Sequence, residues 1–157
     1  GTSNNYGVSA WWAPEESGLI PSISAGWGLS QVSANDQADA LFDYAISQSW
    51  YVGLTWEDAF IEGNDLGMAV GQPTFLTAID CTDGAAAGGF TCDEGHVADG
   101  NYAFEWWYKF QVTDNISVTP ALYYLSRPGG HFTNGANGKG DDTFSNFGGL
   151  VKTTFKF

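Results

Sequence analysis

Basic residues are scarce in this sequence. Five lysines and arginines stand against 18 aspartates and glutamates, which gives a formal net charge of -13. Because binding to nucleic-acid phosphates needs clustered Lys and Arg side chains, we expect no nucleic-acid partner.

Long hydrophobic runs are also missing. Since no stretch of about 18 apolar residues occurs, we expect no helix of the chain to span a membrane. The first residues, GTSNNYGVSAWW, contain no Met, no basic segment and no apolar signal core. We therefore expect a mature or truncated product with the length of one ordinary domain.

The signatures of catalytic sites are equally absent. The sequence contains no GxSxG, HExxH, phosphate-loop or CxxC motif. Its two histidines, His96 and His131, fall in separate Gly-rich segments, where we expect them to be solvated. The sequence thus predicts no enzyme activity and no cofactor.

What the sequence does have is aromatic residues in an alternating pattern. From Tyr102 to Phe110 every second residue is aromatic, whereas the residues between them are mostly polar or charged. A period of two indicates a strand whose two faces meet different environments. Six other segments alternate in a similar way: NYGVSAWW, PSISAGWGLS, WYVGLTWE, LGMAVG, ISVTPALYYL and FGGLVKTTFKF. Together with the segment from Tyr102 they predict an all-β chain with seven strands. The stretch ANDQADALFDYAISQ is expected to be loop.

Short and long connections alternate along the chain. The short ones lie around PEESG, IEGND and VTDN, and the long ones are residues 32–48, 72–100 and 127–143. An antiparallel up-and-down meander of this kind has its tight turns at one end and its long loops at the other. This is the plan of a transmembrane β-barrel, and strands of about ten residues are long enough to cross a bilayer.

A barrel in lipid also accounts for the aromatic stripe. A soluble sandwich favours close-packing aliphatic residues on its inner face, whereas a barrel turns its apolar face to lipid and keeps a wet interior. Trp and Tyr near strand ends suit the membrane interface, and five residues are predicted there: Trp12, Trp50, Trp56, Tyr102 and Tyr124. The candidates for the pore wall are Glu57, Glu105, Lys109, Gln111, Lys152, Thr154 and Lys156. A soluble all-β ligand-binding or adhesion domain is the alternative.

The two cysteines, Cys81 and Cys92, fall in the longest predicted loop. A pair separated by ten residues in a Gly/Ala-rich segment favours a disulfide in an oxidising compartment. A metal site is the alternative, because Asp93, Glu94 and His96 lie nearby, but two cysteines without a second CxxC are a poor zinc signal.

Ten acidic residues fall in the predicted long loops, which carry only Arg127 and Lys139 as basic residues. If these loops are external, they make the channel mouth strongly negative and should concentrate cations. Hydration of the loops, or divalent ions bridging them to lipopolysaccharide, is the alternative role. The ten acidic residues are Asp36, Asp39, Asp43, Asp80, Asp83, Asp93, Glu94, Asp99, Asp141 and Asp142.

Several segments resemble the C-terminal portion of cyanobacterial outer-membrane porins of the OprB-type carbohydrate-selective family. They are SWYVGLTWEDAFIEGNDLGMAVGQPTF, FEWWYKFQVTDNISVTPALYYLSRPGG and GGLVKTTFKF, within residues 49–75 and 101–157, and more loosely the first thirty residues. The terminal Phe157 after an alternating strand resembles the signal by which such barrels are recognised for insertion.

The resemblance implies a location in the bacterial outer membrane and contact with its lipid. It further implies a barrel of roughly 16 strands, so residues 1–157 would be its C-terminal part, without the N-terminal strands and any cell-wall-binding segment. The expected function is a passive diffusion channel for small hydrophilic solutes and inorganic ions, with sugars or iron among them. A homotrimer is the expected assembly.

Overall fold

A computed structural model of the chain describes residues 1–16, 18–34, 42–82, 86–87, 90–91, 95–96, 101–128 and 145–157. All regular elements in these ranges are β-strands, and none of the described residues forms a helix of the length and hydropathy needed to cross a membrane. Seven strands are long: β1 (Thr2–Trp12), β2 (Ser22–Ser33), β3 (Phe42–Trp56), β4 (Asp65–Cys81), β8 (Ala103–Thr113), β9 (Ile116–Ser126) and β10 (Ser145–Phe155). Three have two residues each: β5 (Ala86–Ala87), β6 (Phe90–Thr91) and β7 (Gly95–His96).

The seven long strands form one open antiparallel sheet in the order β1-β2-β3-β4-β8-β9-β10. Every long strand therefore pairs with the next long strand along the chain, which confirms the predicted up-and-down meander. The short strand β7 adds to the far end of β4, and β5 pairs with β6. With an odd number of long strands, the first described residue and the last lie at opposite ends of the sheet.

Two predicted loops are partly strand. Residues 32–48 and 72–100 were expected to be loop, but β3 begins at Phe42 and β4 continues to Cys81. The pairing of these two strands is interrupted between Phe42 and Tyr44, between Ile46 and Ser47, and between Gln48 and Trp50. Because each interruption shifts the inward and outward positions, period-two alternation fails there although the backbone stays paired. The expectation that ANDQADALFDYAISQ is loop is wrong from Phe42 onward.

The pairing register sorts the side chains onto two faces. One row of paired residues crosses all seven strands and is apolar throughout: Ala10, Ala25, Val52, Val70, Phe104, Tyr124 and Phe147. We call the face that bears this row the apolar face. The next row lies on the opposite, polar face and is mostly small or polar: Trp11, Ser24, Gly53, Ala69, Glu105, Tyr123 and Gly148.

Nothing in the described part of the chain covers the apolar face. Val151 is 70% exposed and Phe147 66%. Among the described residues the only buried apolar ones are Cys81 and Ala121, and no large side chain is fully buried. A water-soluble domain of this length buries far more apolar surface. The described residues therefore form one layer without a core of the soluble kind.

The turn between β3 and β4 is built around Asn64, which is only 4% exposed. The Asn64 side-chain amide donates to the Tyr108 hydroxyl (3.1 Å), and its Oδ1 accepts from the Gln111 backbone amide (2.8 Å). The Tyr108 hydroxyl donates in turn to the carbonyl of Ala59 at 2.7 Å. Asn64 thus joins this turn to β8, with Gly63 supplying the left-handed backbone (φ 84°) that the turn needs.

Candidate functional site

The polar face surrounds a cleft with a volume of about 770 Å³. Gly7 of β1 and Leu150 of β10 both line it, although these strands lie at opposite edges of the sheet. Residues so far apart in the strand order meet one cleft only if the sheet curls toward the polar face. The polar face is therefore concave, and the apolar face is convex and turned outward.

Three aromatic rings on the polar face lie over glycines of neighbouring strands. A Cβ atom built on Gly26 would lie 2.4 Å from the Tyr51 ring, and one on Gly148 would lie 2.4 Å from the Tyr123 ring. On Gly67 it would lie 2.1 Å from the Trp107 ring. Real Cβ contacts are longer than this, so only glycine admits each ring.

Sequence reasoning missed these rings as residues of the concave face. The alternation of WYVGLTWE does place Tyr51 opposite Trp50 and Val52, but Tyr51 was not among the predicted pore-wall residues. The available signal was an aromatic residue among glycines on the predicted inner face. The register supplies what the sequence lacked, because it shows which glycine stands next to which ring.

The predicted pore-wall residues divide into two groups. The register places five of them on the polar face: Glu105, Lys109, Gln111, Lys152 and Thr154. Glu57 follows the end of β3, and Lys156 follows the end of β10, so both lie outside the strands, at the end of the sheet that carries the short turns.

Lys109 is paired with a carboxylate. Its Nζ lies 2.7 Å from Oδ2 of Asp65, and the two side chains are 35% and 22% exposed. Asp65 is the residue directly opposite Lys109 on β4. Alternation alone carries no signal that joins residues 44 positions apart, so this pairing was not predicted.

The predicted interface aromatics lie on or beside the apolar face. Trp12 and Trp56 end their strands, Tyr102 precedes β8, and Tyr124 is two residues from the end of β9. Trp50 lies in the middle of β3, because that strand begins earlier than expected; the placement of Trp50 near a strand end is therefore wrong. The five residues stay predictions as anchors in the membrane interface.

The indole groups find polar partners along the apolar face. Trp50 Nε1 donates to Gln72 Oε1 (3.2 Å), and Trp27 Nε1 donates to Gln48 Oε1 (3.0 Å). At the other end, Trp56 Nε1 donates to the carbonyl of Leu19 (3.0 Å). An indole with an apolar body and a satisfied N–H suits a boundary between hydrocarbon and water.

The C-terminal residues continue past the last strand. The Lys156 amide donates to the carbonyl of Asn115, and the Asn115 side chain donates back to the carbonyl of Lys156, both at 2.9 Å. Phe157 follows with a fully exposed side chain. The end of the chain is thereby fastened to the turn between β8 and β9, and the terminal ring is left free.

The cysteine pair and most of the loop charges fall beyond the described part of the chain. Cys81 ends β4 and is not a free thiol, but Cys92 lies outside the described residues, so the bond between them stays a prediction. His131 and the metal-site alternative at Asp93 and Glu94 also lie outside. In the described ranges no group of three or more His, Cys, Asp or Glu residues could hold a metal ion.

Of the ten acidic residues assigned to long loops, two are in strands. Asp43 belongs to β3 and Asp80 to β4; the Asp43 carboxylate accepts a hydrogen bond from the Thr82 hydroxyl at 3.2 Å. Their assignment to loops is wrong because both strands are longer than predicted, and the irregular pairing of β3 with β4 hides their alternation. The other eight residues lie outside the described part: Asp36, Asp39, Asp83, Asp93, Glu94, Asp99, Asp141 and Asp142.

Comparison with known proteins identifies relatives of the whole chain. The family model described as carbohydrate-selective porin, OprB family, matches residues 1–157. An uncharacterized protein of Nostoc sp. (strain PCC 7120) is 27% identical over 156 residues, which are 99% of this chain and 22% of that protein. An uncharacterized protein of Synechocystis sp. (strain PCC 6803) is 29% identical over 144 residues, 89% of this chain and 23% of that protein. The chain thus spans less than a quarter of the length of these curated relatives, and no solved structure matches it.

Proposed function

The chain belongs to the carbohydrate-selective porins of the OprB family, an outer-membrane family, and on that premise we propose that it forms part of the wall of a passive diffusion channel for small hydrophilic solutes. Its convex apolar face contacts lipid, and its concave polar face contacts the water of the lumen. Membership in a porin family points to transport rather than to an enzyme.

The observation that carries this proposal is the contrast between two adjacent rows of the sheet. The row through Val52 and Phe147 is apolar across all seven strands, whereas the row through Ser24 and Glu105 is mostly small or polar. Apolar-out and polar-in alternation of this kind is what a water-filled barrel in lipid requires. On this interpretation the lumen is lined by Glu105, Lys109, Gln111, Lys152 and Thr154. Its rim at the end with the short turns carries Glu57 and Lys156.

A complete barrel needs more strands than the seven described here. Within the described part of the chain, β1 and β10 each pair on one side only, and unpaired backbone groups in hydrocarbon cost several kcal/mol each. The curated relatives are more than four times as long as the segment they share with this chain. Both observations support a segment of a larger barrel whose other strands close the wall, and we propose that it is the C-terminal part of a roughly 16-stranded one.

The soluble alternative requires a second layer over the apolar face. A sandwich buries that face against another sheet. Here only Cys81 and Ala121 are buried among the apolar residues of the described part, which contains no second sheet of matching size. A partition test distinguishes the two. A soluble, monodisperse protein in detergent-free buffer would contradict the porin proposal, and recovery only with detergent or lipid is expected.

Channel activity is tested by reconstituting the complete porin in planar bilayers. Stepwise ohmic conductance that rises with salt concentration is expected of a water-filled pore. Conductance steps indistinguishable from those of protein-free detergent controls would refute the channel. The family description favours carbohydrates, and the alternative cargo is inorganic ions, including iron. Competition between salts and added sugars in the same recordings separates the two.

We also propose a homotrimer, and the outer face of the last strand supports it. Gly149 lies on the apolar face beside Phe147 and Val151, where a small residue permits close approach of a neighbouring barrel. The small residues of β4 do not contribute, because the register places Gly67, Ala69 and Gly71 on the concave face. A monomeric mass for the complete porin in mild detergent would contradict the trimer.

A further inference from the structure

The concave cleft contains an arrangement that suits a sugar ring. Tyr51 of β3 and Tyr123 of β9 both line the cleft, and so does Glu105 of β8, a strand that lies between β3 and β9 in the sheet. The floor there consists of small residues, chiefly Ala69, Gly71 and Ala103. Large side chains thus stand at the two sides, and the carboxylate of Glu105 lies directly opposite Tyr123 on the neighbouring strand.

The two rings leave this floor open because each leans away from it. The Tyr51 ring lies over Gly26 of β2, and the Tyr123 ring lies over Gly148 of β10. The strands that carry the two rings are separated by three strand spacings, or about 14 Å. Tyr51 is 46% exposed, so a large part of its ring is free to contact a solute in the cleft.

We propose that Tyr51, Glu105 and Tyr123 form a binding subsite for neutral sugars inside the channel. A pyranose has C–H groups on its faces and hydroxyls around its rim. The C–H groups suit the negative face of an aromatic ring. The hydroxyls donate hydrogen bonds to Glu105, whose ionised carboxylate accepts charge-assisted bonds. Glu105 has no ion-pair partner among the described residues, so its oxygens are available to a solute.

This inference rests on the proposed channel, and it names residues that the channel alone does not require. An aromatic ring over a glycine also has a purely structural role, in filling the space left by the missing side chain. Trp107 provides the comparison, because it lies over Gly67 in the same way and is not among the residues that line the cleft. A structural role predicts equal effects at all three rings, whereas a subsite predicts effects at Tyr51 and Tyr123 only.

The test is block of the ion current by a linear glucose oligosaccharide, measured on the complete porin in planar bilayers. Loss of one ring contact of about 0.5–1.5 kcal/mol corresponds to a half-blocking concentration that is higher by about 2- to 12-fold. We expect this increase for Tyr51→Leu and Tyr123→Leu, and little change for Tyr51→Phe, which keeps the ring. Trp107→Leu is the matched control and should block like the unaltered porin.

Two further measurements distinguish a sugar subsite from a purely structural role of the rings. A polyethylene glycol of the same size, which lacks a pyranose face, should block less well than the sugar and equally in all variants. Glu105→Gln should weaken sugar block while leaving conductance in salt measurable. Channels that open normally but show equal sugar block in every variant, or no sugar block at all, would overturn the subsite and leave the channel standing. Absence of channels in the unaltered protein would overturn the proposed function instead.

Discussion

Lys109 Nζ lies 2.7 Å from Asp65 Oδ2, across the contact between β8 and β4. The pair is partly exposed, so its contribution to stability is small, about 0.2–1 kcal/mol. Asp65 also changes the electrostatics of the concave face, because its charge offsets a cation that would otherwise attract anions. The net charge of the concave face is therefore more negative than a count of its lysines implies.

Asp65→Asn should shift ion selectivity toward anions. The substitution leaves Lys109 without its counter-charge, and one unscreened unit charge changes the local ion concentration by up to about fivefold at low salt. The measurement is the reversal potential under a salt gradient in planar bilayers. Asp65→Asn combined with Lys109→Gln should restore the original value, because the pair carries no net charge in either protein. An unchanged reversal potential in the single variant would show that the pair does not face the ion path.

The unaltered porin should prefer cations at low ionic strength, and this preference should shrink as salt rises. The reason is the excess of acidic residues in the predicted external loops, whose influence is screened beyond about 8 Å at physiological salt. Reversal potentials across a series of salt concentrations measure the trend. Anion preference at low salt would contradict the assignment of a negative mouth.

Gly67→Ala should destabilise the barrel by about 1–3 kcal/mol, because the new Cβ would lie 2.1 Å from the Trp107 ring. Gly7→Ala is the matched control. It lies on the same concave face, and its Cβ would meet only a carbonyl oxygen at 3.9 Å. Thermal unfolding of the folded barrel in detergent measures both. Equal midpoints would show that Trp107 moves aside without cost.

Much of this architecture follows from the sequence, and the limits of that reasoning have physical causes. Strands such as β8 and β9 were predicted closely because their alternation is unbroken. The part of β3 before Trp50 and the part of β4 after Gly71 were not predicted as strand. The irregular pairing near Ile46 and Gln48 breaks the period of two there. Where the pairing is regular, the face of each residue was predictable from parity. The partner of each residue was not, because cross-strand neighbours such as Lys109 and Asp65 depend on register.

Two adjacent residues of β2 provide a test of which face meets lipid. Ala25 lies on the convex apolar face, and Ser24 lies on the concave polar face. Ala25→Lys should destabilise the inserted barrel by up to about 2–4 kcal/mol, since a charge at the bilayer midplane is costly. Ser24→Lys should cost much less, because water reaches that face. Unfolding in urea from lipid vesicles measures both, and the reverse order of effects would exchange the two faces.

The predicted disulfide is tested by alkylation. In the unfolded, unreduced protein neither Cys81 nor Cys92 should react with a maleimide, and both should react after reduction. Cys92→Ser should expose one reactive thiol at Cys81 without reductant. Labelling of both thiols in the unreduced protein, purified without reductant, would show that the pair does not form.

The open edges of β1 and β10 also constrain the order of events during biogenesis. A partly assembled wall in hydrocarbon would carry a column of backbone amides and carbonyls with neither water nor a partner strand to satisfy them. Such a species is too high in energy to accumulate in the bilayer. Entry into the membrane and closure of the wall are therefore expected to be one concerted transition, in which the last strand pairing forms as the apolar face leaves water. Any factor that assists insertion must then shelter an edge strand until its partner arrives.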